Sequence, residues 1–149
     1  MIEELEAMQK RIEVAIKELP NILNASLKEV ESEIIQMNVD QQLRGKDAKN
    51  KKIGRYAKST KKSRRRKGLQ ISFVDLEDTK NYHSNFTIAY LEDRIELASP
   101  NTTYSVFLDN MYDDLFGLTK ANKKILQKLV SPIASKKLDP LFRKVRSVI

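Results

Sequence analysis

The sequence predicts an α+β domain, and three changes of rhythm along the chain predict it. Apolar residues recur in steps of three and four over the first third. The period shortens to two between Leu69 and Ser99, and helical spacing returns after Thr119. A length of 149 residues suits one domain. Its expected parts are a long helix over 1–37, a basic loop over 38–68, a small antiparallel sheet with a connecting helix over 69–118, and C-terminal helices over 119–149.

The first helix rests on Ile12, Ile16, Leu19, Leu23, Leu27, Val30, Ile34 and Met37. Pro20 interrupts the series, but the apolar phase runs straight across it. The expectation is therefore one helix kinked near Pro20 rather than two. From Ile2 to Met37 it would reach roughly 50 Å. That is long for so small a domain, so part of its stripe is expected to pack on a C-terminal helix or on another subunit.

The stretch "NVDQQLRGKDAKNKKIG" drops all periodicity and reads as an exposed loop. In "STKKSRRRKG", Ser59 or Thr60 can cap a short helix that Gly68 stops. "LQISFV" reads as a strand. "FTIAYL" and "RIELAS" read as a β-hairpin around Glu92 and Asp93, with Phe86, Ile88 and Tyr90 on one face and Ile95 and Leu97 returning. Between these, "DLEDTKNYHSNF" reads as a loop with a helical turn.

"TYSVFLDNMYDDLFGL" is a short amphipathic stretch ending at Gly117. Thr119 can cap a further helix carrying Ile125, Leu126, Leu129, Val130 and Ile133. Ser131–Pro132 and Asp139–Pro140 each resemble a helix start. The tail is thus expected as two or three consecutive pieces, with Leu141, Phe142, Val145 and Val148 continuing the apolar face.

The net charge of +8 hides a division. Residues 44–67 hold thirteen basic residues: Arg44, Lys46, Lys49, Lys51, Lys52, Arg55, Lys58, Lys61, Lys62, Arg64, Arg65, Arg66 and Lys67. Asp47 is the one acid among them, and the rest of the chain carries fifteen basic and nineteen acidic residues. A mildly acidic domain thus carries a basic insert, and such asymmetry points to a contact with a partner.

Several functions find little support. The chain has no Cys, so it offers no disulfide, thiolate metal site or thiol nucleophile. No apolar run approaches a membrane span, and the charged, amphipathic N-terminus is not a signal peptide. Glycines at 45, 54, 68 and 117 form no phosphate-binding loop. His83 is the single histidine; with Asp75 and Asp78 it could be imagined as a cation or hydrolase site, but the spacing matches no metal motif. Asp78 and Thr79 read more simply as caps for the next turn. No cofactor is expected.

For the basic segment, composition leaves four readings open. It can contact nucleic acid through phosphates, with weak stacking because Tyr56 is its only aromatic. It can neutralise an acidic surface on a neighbouring subunit. "KKSRRRK" has the composition of a nuclear address, although nothing else suggests a eukaryotic regulator. A solvated, disordered loop is the plain alternative.

Order along the chain adds a different clue. Leu43, Gly45 and Asp47, then Ile53, Gly54, Tyr56, Ser59 and Thr60, then Leu76, Asp78 and Thr79, and finally Phe116, Gly117, Leu118 and Thr119 form a series of landmarks. This series resembles the tail-completion and head–tail-joining (neck) proteins of tailed bacteriophages, in the type seen in phages of Bacteroidetes. The resemblance covers residues 38–122. Lys80 stands where that pattern has glycine after Asp-Thr, and Asp113 where glycine often follows the tyrosine, so the two turns are expected to differ.

The resemblance implies a non-enzymatic virion protein, made in the bacterial host cytoplasm and assembled as a homo-oligomeric ring at the neck or tail. Its partners would be neighbouring portal, neck or tail proteins, with packaged DNA as a further surface and no membrane. The expected contacts are Arg44, Lys46, Lys51, Lys52, Arg55, Lys58, Lys61, Lys62, Arg64, Arg65, Arg66 and Lys67. The alternative is a small basic nucleic-acid-binding protein acting through residues 44–67.

Overall fold

A computed structural model describes residues 1–78, 81–99 and 103–146. Thr79, Lys80 and Val148 lie outside the described residues, as does the side chain of Val145. The architecture is α+β: a long N-terminal helix, a two-stranded antiparallel hairpin and C-terminal helices.

The N-terminal helix α1 covers Ile2–Glu29 with Pro20 inside it, and α2 covers Glu31–Leu43. The single helix expected from Ile2 to Met37 is divided at Val30, where φ is −114° and the N–H donates back to Leu27 O at 3.1 Å. Just before it, Ser26 Oγ donates to Ile22 O at 2.7 Å, a back-bond of the kind that bends helices. Across the break Val30 and Ile34, four residues apart, belong to the same apolar cluster.

Helix α2 runs six residues past Met37, into the stretch expected to be loop. Its buried face there carries Asn38, Gln41 and Gln42 beside Val39. Hydropathy cannot mark such a face, because amides line it in place of hydrocarbon.

Helix α3 (Lys58–Arg66) forms within the basic segment. Ala57 stands at its N-cap without a side-chain bond, so Ser59 and Thr60 lie inside the helix instead of capping it. Gly68 closes it as expected, with φ of +72°: Gly68 N–H reaches Arg65 O at 3.2 Å and Leu69 N–H reaches Arg64 O at 3.0 Å.

The strand expected at "LQISFV" is absent. Gln70 Oε1 accepts the N–H groups of Ser72 and Phe73, and Gln70 Nε2 donates to Phe73 O at 2.7 Å. The side chain folds this segment on itself, and the backbone makes no ladder. A short helix α4 (Asn81–Ser84) then precedes the sheet.

The sheet is a hairpin of β1 (Thr87–Tyr90) and β2 (Ile95–Ala98), paired antiparallel from Thr87↔Ala98 to Tyr90↔Ile95. Ile88, Ile95 and Leu97 face the helices, as the alternation predicted. Tyr90 OH donates to Glu31, and Asn24 Nδ2 donates to Leu91 O at 3.0 Å, seating the hairpin along α1 and α2.

Helix α5 (Thr103–Met111) leads through a turn to α6 (Lys120–Arg146). The expected chain of two or three pieces is one helix that contains Pro132 and Pro140. Each proline removes a single backbone donor, while Val130, Ile133 and Ala134 stay in contact with the α1–α2 cluster on either side of Pro132. Helix α6 runs antiparallel to α2 and α1: Asn122 meets Gln41, and Lys137 Nζ meets Glu29 at 2.7 Å.

Two apolar clusters share this frame. One joins Val39 to Val74, Leu76, Tyr82, Phe86, Leu108 and Leu115; the other joins Val30 and Ile34 to Leu118, Val130 and Ala134. Among the described residues no helix is long and apolar enough to cross a membrane.

Candidate partner interface

The segment 44–57 begins at the end of α2 with Gly45, whose φ is +74°. A Cβ there would come within 2.5 Å of the Phe73 ring, so the position needs glycine both for its angle and for its space. Asp47 then builds a tight turn. Its carboxylate accepts Lys49 N–H at 2.9 Å and Lys51 N–H at 2.8 Å, and Lys46 bridges Lys52. The turn is fixed to the far end of the chain: Ala48 N–H donates to Asp114 O at 2.9 Å, and Gly117 packs against the Ala48 methyl.

The buried amides of α2 hold the same region. Asn38 Nδ2 and Gln41 Nε2 both donate to Gly117 O at 2.9 Å, and Gln42 Nε2 donates to Leu115 O at 2.9 Å. Gln41 Oε1 accepts Thr119 N–H at 2.9 Å and Asn122 Nδ2 at 2.6 Å, while Thr119 Oγ1 caps α6 through Asn122 N–H. Gln42 Oε1 faces His83 Nε2 at 3.1 Å, which places the imidazole proton on Nε2. Burial lowers the His83 pKa, and Asp75 opposes that weakly. No periodicity argument reveals these three amides, which fall in the stretch expected to be an exposed loop.

The cations expected to form one contact set divide into two groups. Arg44, Lys51, Lys52, Arg55, Lys58, Lys62, Arg65, Arg66 and Lys67 are exposed, and Lys46 and Lys61 are half-buried. Lys67 Nζ pairs with Asp78 at 2.6 Å near the surface. Arg64 is the exception, because it points inward. Its Nε donates to Gln70 O at 2.8 Å, its Nη1 to Glu77 O, and its Nη2 to Asp75 Oδ1 at 2.9 Å. Its guanidinium also lies 4.3 Å from the centre of the Tyr56 ring. Arg64 therefore belongs to the interior and is closed to an outside partner.

Tyr56 completes that node by donating its OH to Asp75 Oδ1 at 2.9 Å and accepting Asp75 N–H. Burial pushes its phenol up to about 12. The other landmark residues hold the scaffold in similar ways. A Cβ on Gly54 would press on Tyr112, Ile53 packs on the first cluster, and Phe116 meets Phe86 edge-on at 5.3 Å. Thr60 lies exposed on α3. Near Asp113, the left-handed turn falls on Asp114, with φ of 54°.

The residues imagined as a cation or hydrolase site are otherwise engaged: Asp75 with Arg64 and Tyr56, Asp78 with Lys67, and His83 with Gln42. Among the described residues no three metal-ligating side chains converge.

Helix α1 carries a second surface. On the register set by Glu29–Lys137, the described part of α6 runs back along α1 to about residue 20. Ala15 is buried, but the first three turns of α1 before it bury no side chain and form an overhang whose apolar stripe continues to Ile16. Ile2, Leu5, Met8, Ile12 and Ile16 are exposed on this overhang, Leu5 at 61% and Ile16 at 65%. No protein-family model, curated protein or solved structure matches the chain.

Proposed function

We propose that this chain is a structural virion protein of a tailed phage, a ring subunit of the head–tail connector, neck or tail-completion assembly, made in the host cytoplasm. In this reading it performs no catalysis. It self-associates through the first half of α1, and the exposed cations of residues 44–67 touch an adjoining ring or DNA. The phage assignment rests on the landmark residues Gly45 to Thr119. The observation that carries the assembly role is the apolar overhang of α1, since a helix that leaves Leu5, Met8, Ile12 and Ile16 in water is stabilised by a neighbour.

Native mass measurement on the full chain tests this reading. A closed oligomer of defined copy number is expected, appearing as rings in electron micrographs. A monomer at micromolar concentration overturns it. The second reading, a small nucleic-acid-binding protein acting through residues 44–67, draws on Lys58, Lys62, Arg65 and Arg66 exposed on α3. It expects a monomer whose DNA affinity falls steeply with salt.

A further inference from the structure

A cleft of about 730 Å³ opens between the Asp47 turn and the start of α6. Five cations line it: Arg44, Lys46 and Lys49 from one wall, Lys120 and Lys123 from the other. The charge of the basic segment is therefore extended by two lysines from a part of the chain more than fifty residues away. No carboxylate is among the described residues lining it. Nearby, Asp47 is occupied by the backbone N–H groups of Lys49 and Lys51, and Asp114 pairs with Lys49 at 3.0 Å on exposed ground.

Three observations give this cleft a ligand class. First, it is built in advance: Gln41 holds Thr119 and Asn122 at its floor, and Ala48 N–H binds Asp114 O, so both walls are fixed before anything enters. Second, its cations work against the fold. The first turn of α6 has no acidic residue and carries Lys120 and Lys123, although positive charge is disfavoured at the positive end of a helix. Such a local conflict marks a position kept for something other than stability. Third, the remaining lining is Gln41, Asn50, Thr119 and Asn122, which offer hydrogen bonds, with Ala48, Leu118 and Ala121 and no aromatic ring among them. That composition suits phosphate and sugar oxygens and offers no platform for bases.

We propose that this cleft binds the phosphodiester backbone of a nucleic acid without reading its sequence. An open groove focuses the field of these cations on a chain of phosphates, which suits an extended polyanion better than a single ion. The cleft lies within one chain, so this proposal stands apart from the ring assembly and can fail or hold without it.

The test is an anisotropy titration of the full chain with a labelled single-stranded and a labelled duplex oligonucleotide of mixed sequence, at several salt concentrations. The variant Lys120→Glu/Lys123→Glu is compared with Lys128→Glu/Lys136→Glu, exposed on α6 outside both the cleft and residues 44–67. The cleft pair puts acid into a first helical turn, where helix stability gains, and the control pair lies on the surface, so loss of fold does not confuse the result. The cleft variant is expected to bind at least about tenfold more weakly and the control variant no more than about threefold.

Pyrophosphate is expected to compete at high concentration, and polyglutamate to compete far less well than the oligonucleotide. Equal affinity of the cleft variant and the unmodified chain overturns the proposal, as does absence of oligonucleotide binding at low salt. Equal competition by polyglutamate also overturns it, and assigns the cleft to an acidic protein. None of these outcomes depends on the native mass.

Discussion

Arg64 Nη2 lies 2.9 Å from Asp75 Oδ1, and both side chains are closed off from solvent. Each side-chain nitrogen and oxygen of the pair has a hydrogen-bond partner. Arg64 spends its other donors on the carbonyls of Gln70 and Glu77, while Asp75 accepts from Tyr56, Glu77 N–H and Gln70. A cation from the most basic run of the chain thus ties α3 to the segment that leads into α4.

Removing one partner of such a pair strands the other in the interior. Arg64→Ala is expected to destabilise the fold by about 3 kcal/mol. Arg65→Ala and Arg66→Ala, on exposed neighbours, are expected to change stability by no more than about 0.5 kcal/mol. Urea unfolding of the three single variants checks this, and equal midpoints for all three would place Arg64 on the surface.

The fold is expected to weaken in mild acid through His83. Burial lowers its pKa, so the folded chain keeps the imidazole neutral while the unfolded chain takes up a proton near pH about 6.5. With more protons bound when unfolded, stability is full above that pH and declines as pH falls through it. His83→Gln keeps a donor toward Gln42 and does not titrate. Its unfolding midpoint should fall less than that of the unmodified chain between about pH 7.5 and about pH 5.5. Parallel declines would exclude His83 as the source.

Gln42→Leu is expected to cost about 2–3 kcal/mol. The change strands His83 Nε2 in the interior and leaves Leu115 O with the longer bond from Asn38 Nδ2 alone. Hydrogen exchange should show the loss concentrated in residues 115–122, which the α2 amides hold. Uniform loss across the chain would mean that the amides do not anchor that segment specifically.

The hairpin was legible because Ile88, Tyr90, Ile95 and Leu97 alternate, and alternation maps directly onto the two faces of a sheet. The end of α2 was not, because Asn38, Gln41 and Gln42 are buried by hydrogen bonds to a segment more than seventy residues away. The strand at "LQISFV" failed for a related reason: a pattern of period two does not reveal that Gln70 will capture the local backbone. At the candidate surface, charge counting grouped Arg64 with its neighbours, and only the three-dimensional approach of Asp75 separates it. The landmark spacing around Gly45, Gly54 and Tyr56 carried more information than the charge, since each of these residues fixes a contact of the scaffold.

Two glycines with similar angles make a further contrast. Gly45 has φ of +74° and Phe73 in the space of a Cβ, whereas Gly68 has φ of +72° and nothing within 4 Å. Gly68→Ala is expected to cost about 1 kcal/mol, the price of the left-handed angle alone. Gly45→Ala adds displacement of the Phe73 ring and is expected to cost at least about twice as much. Thermal unfolding of both variants decides the matter, and equal losses would mean that Phe73 moves aside freely.

The overhang of α1 yields the sharpest test of assembly. Leu5 and Ile16 are exposed at 61% and 65%, so Leu5→Glu/Ile16→Glu removes apolar surface from water without opening a cavity in the fold. If the overhang joins subunits, the pair of charges must be buried against a neighbour, where an unpaired carboxylate is strongly disfavoured. The unfolding midpoint of the isolated subunit should then stay the same or rise, while the native mass falls to that of a single chain. An oligomer that survives both substitutions would move the contact elsewhere, to the exposed residues Val106, Phe107 and Met111 of α5, the next apolar group open to solvent.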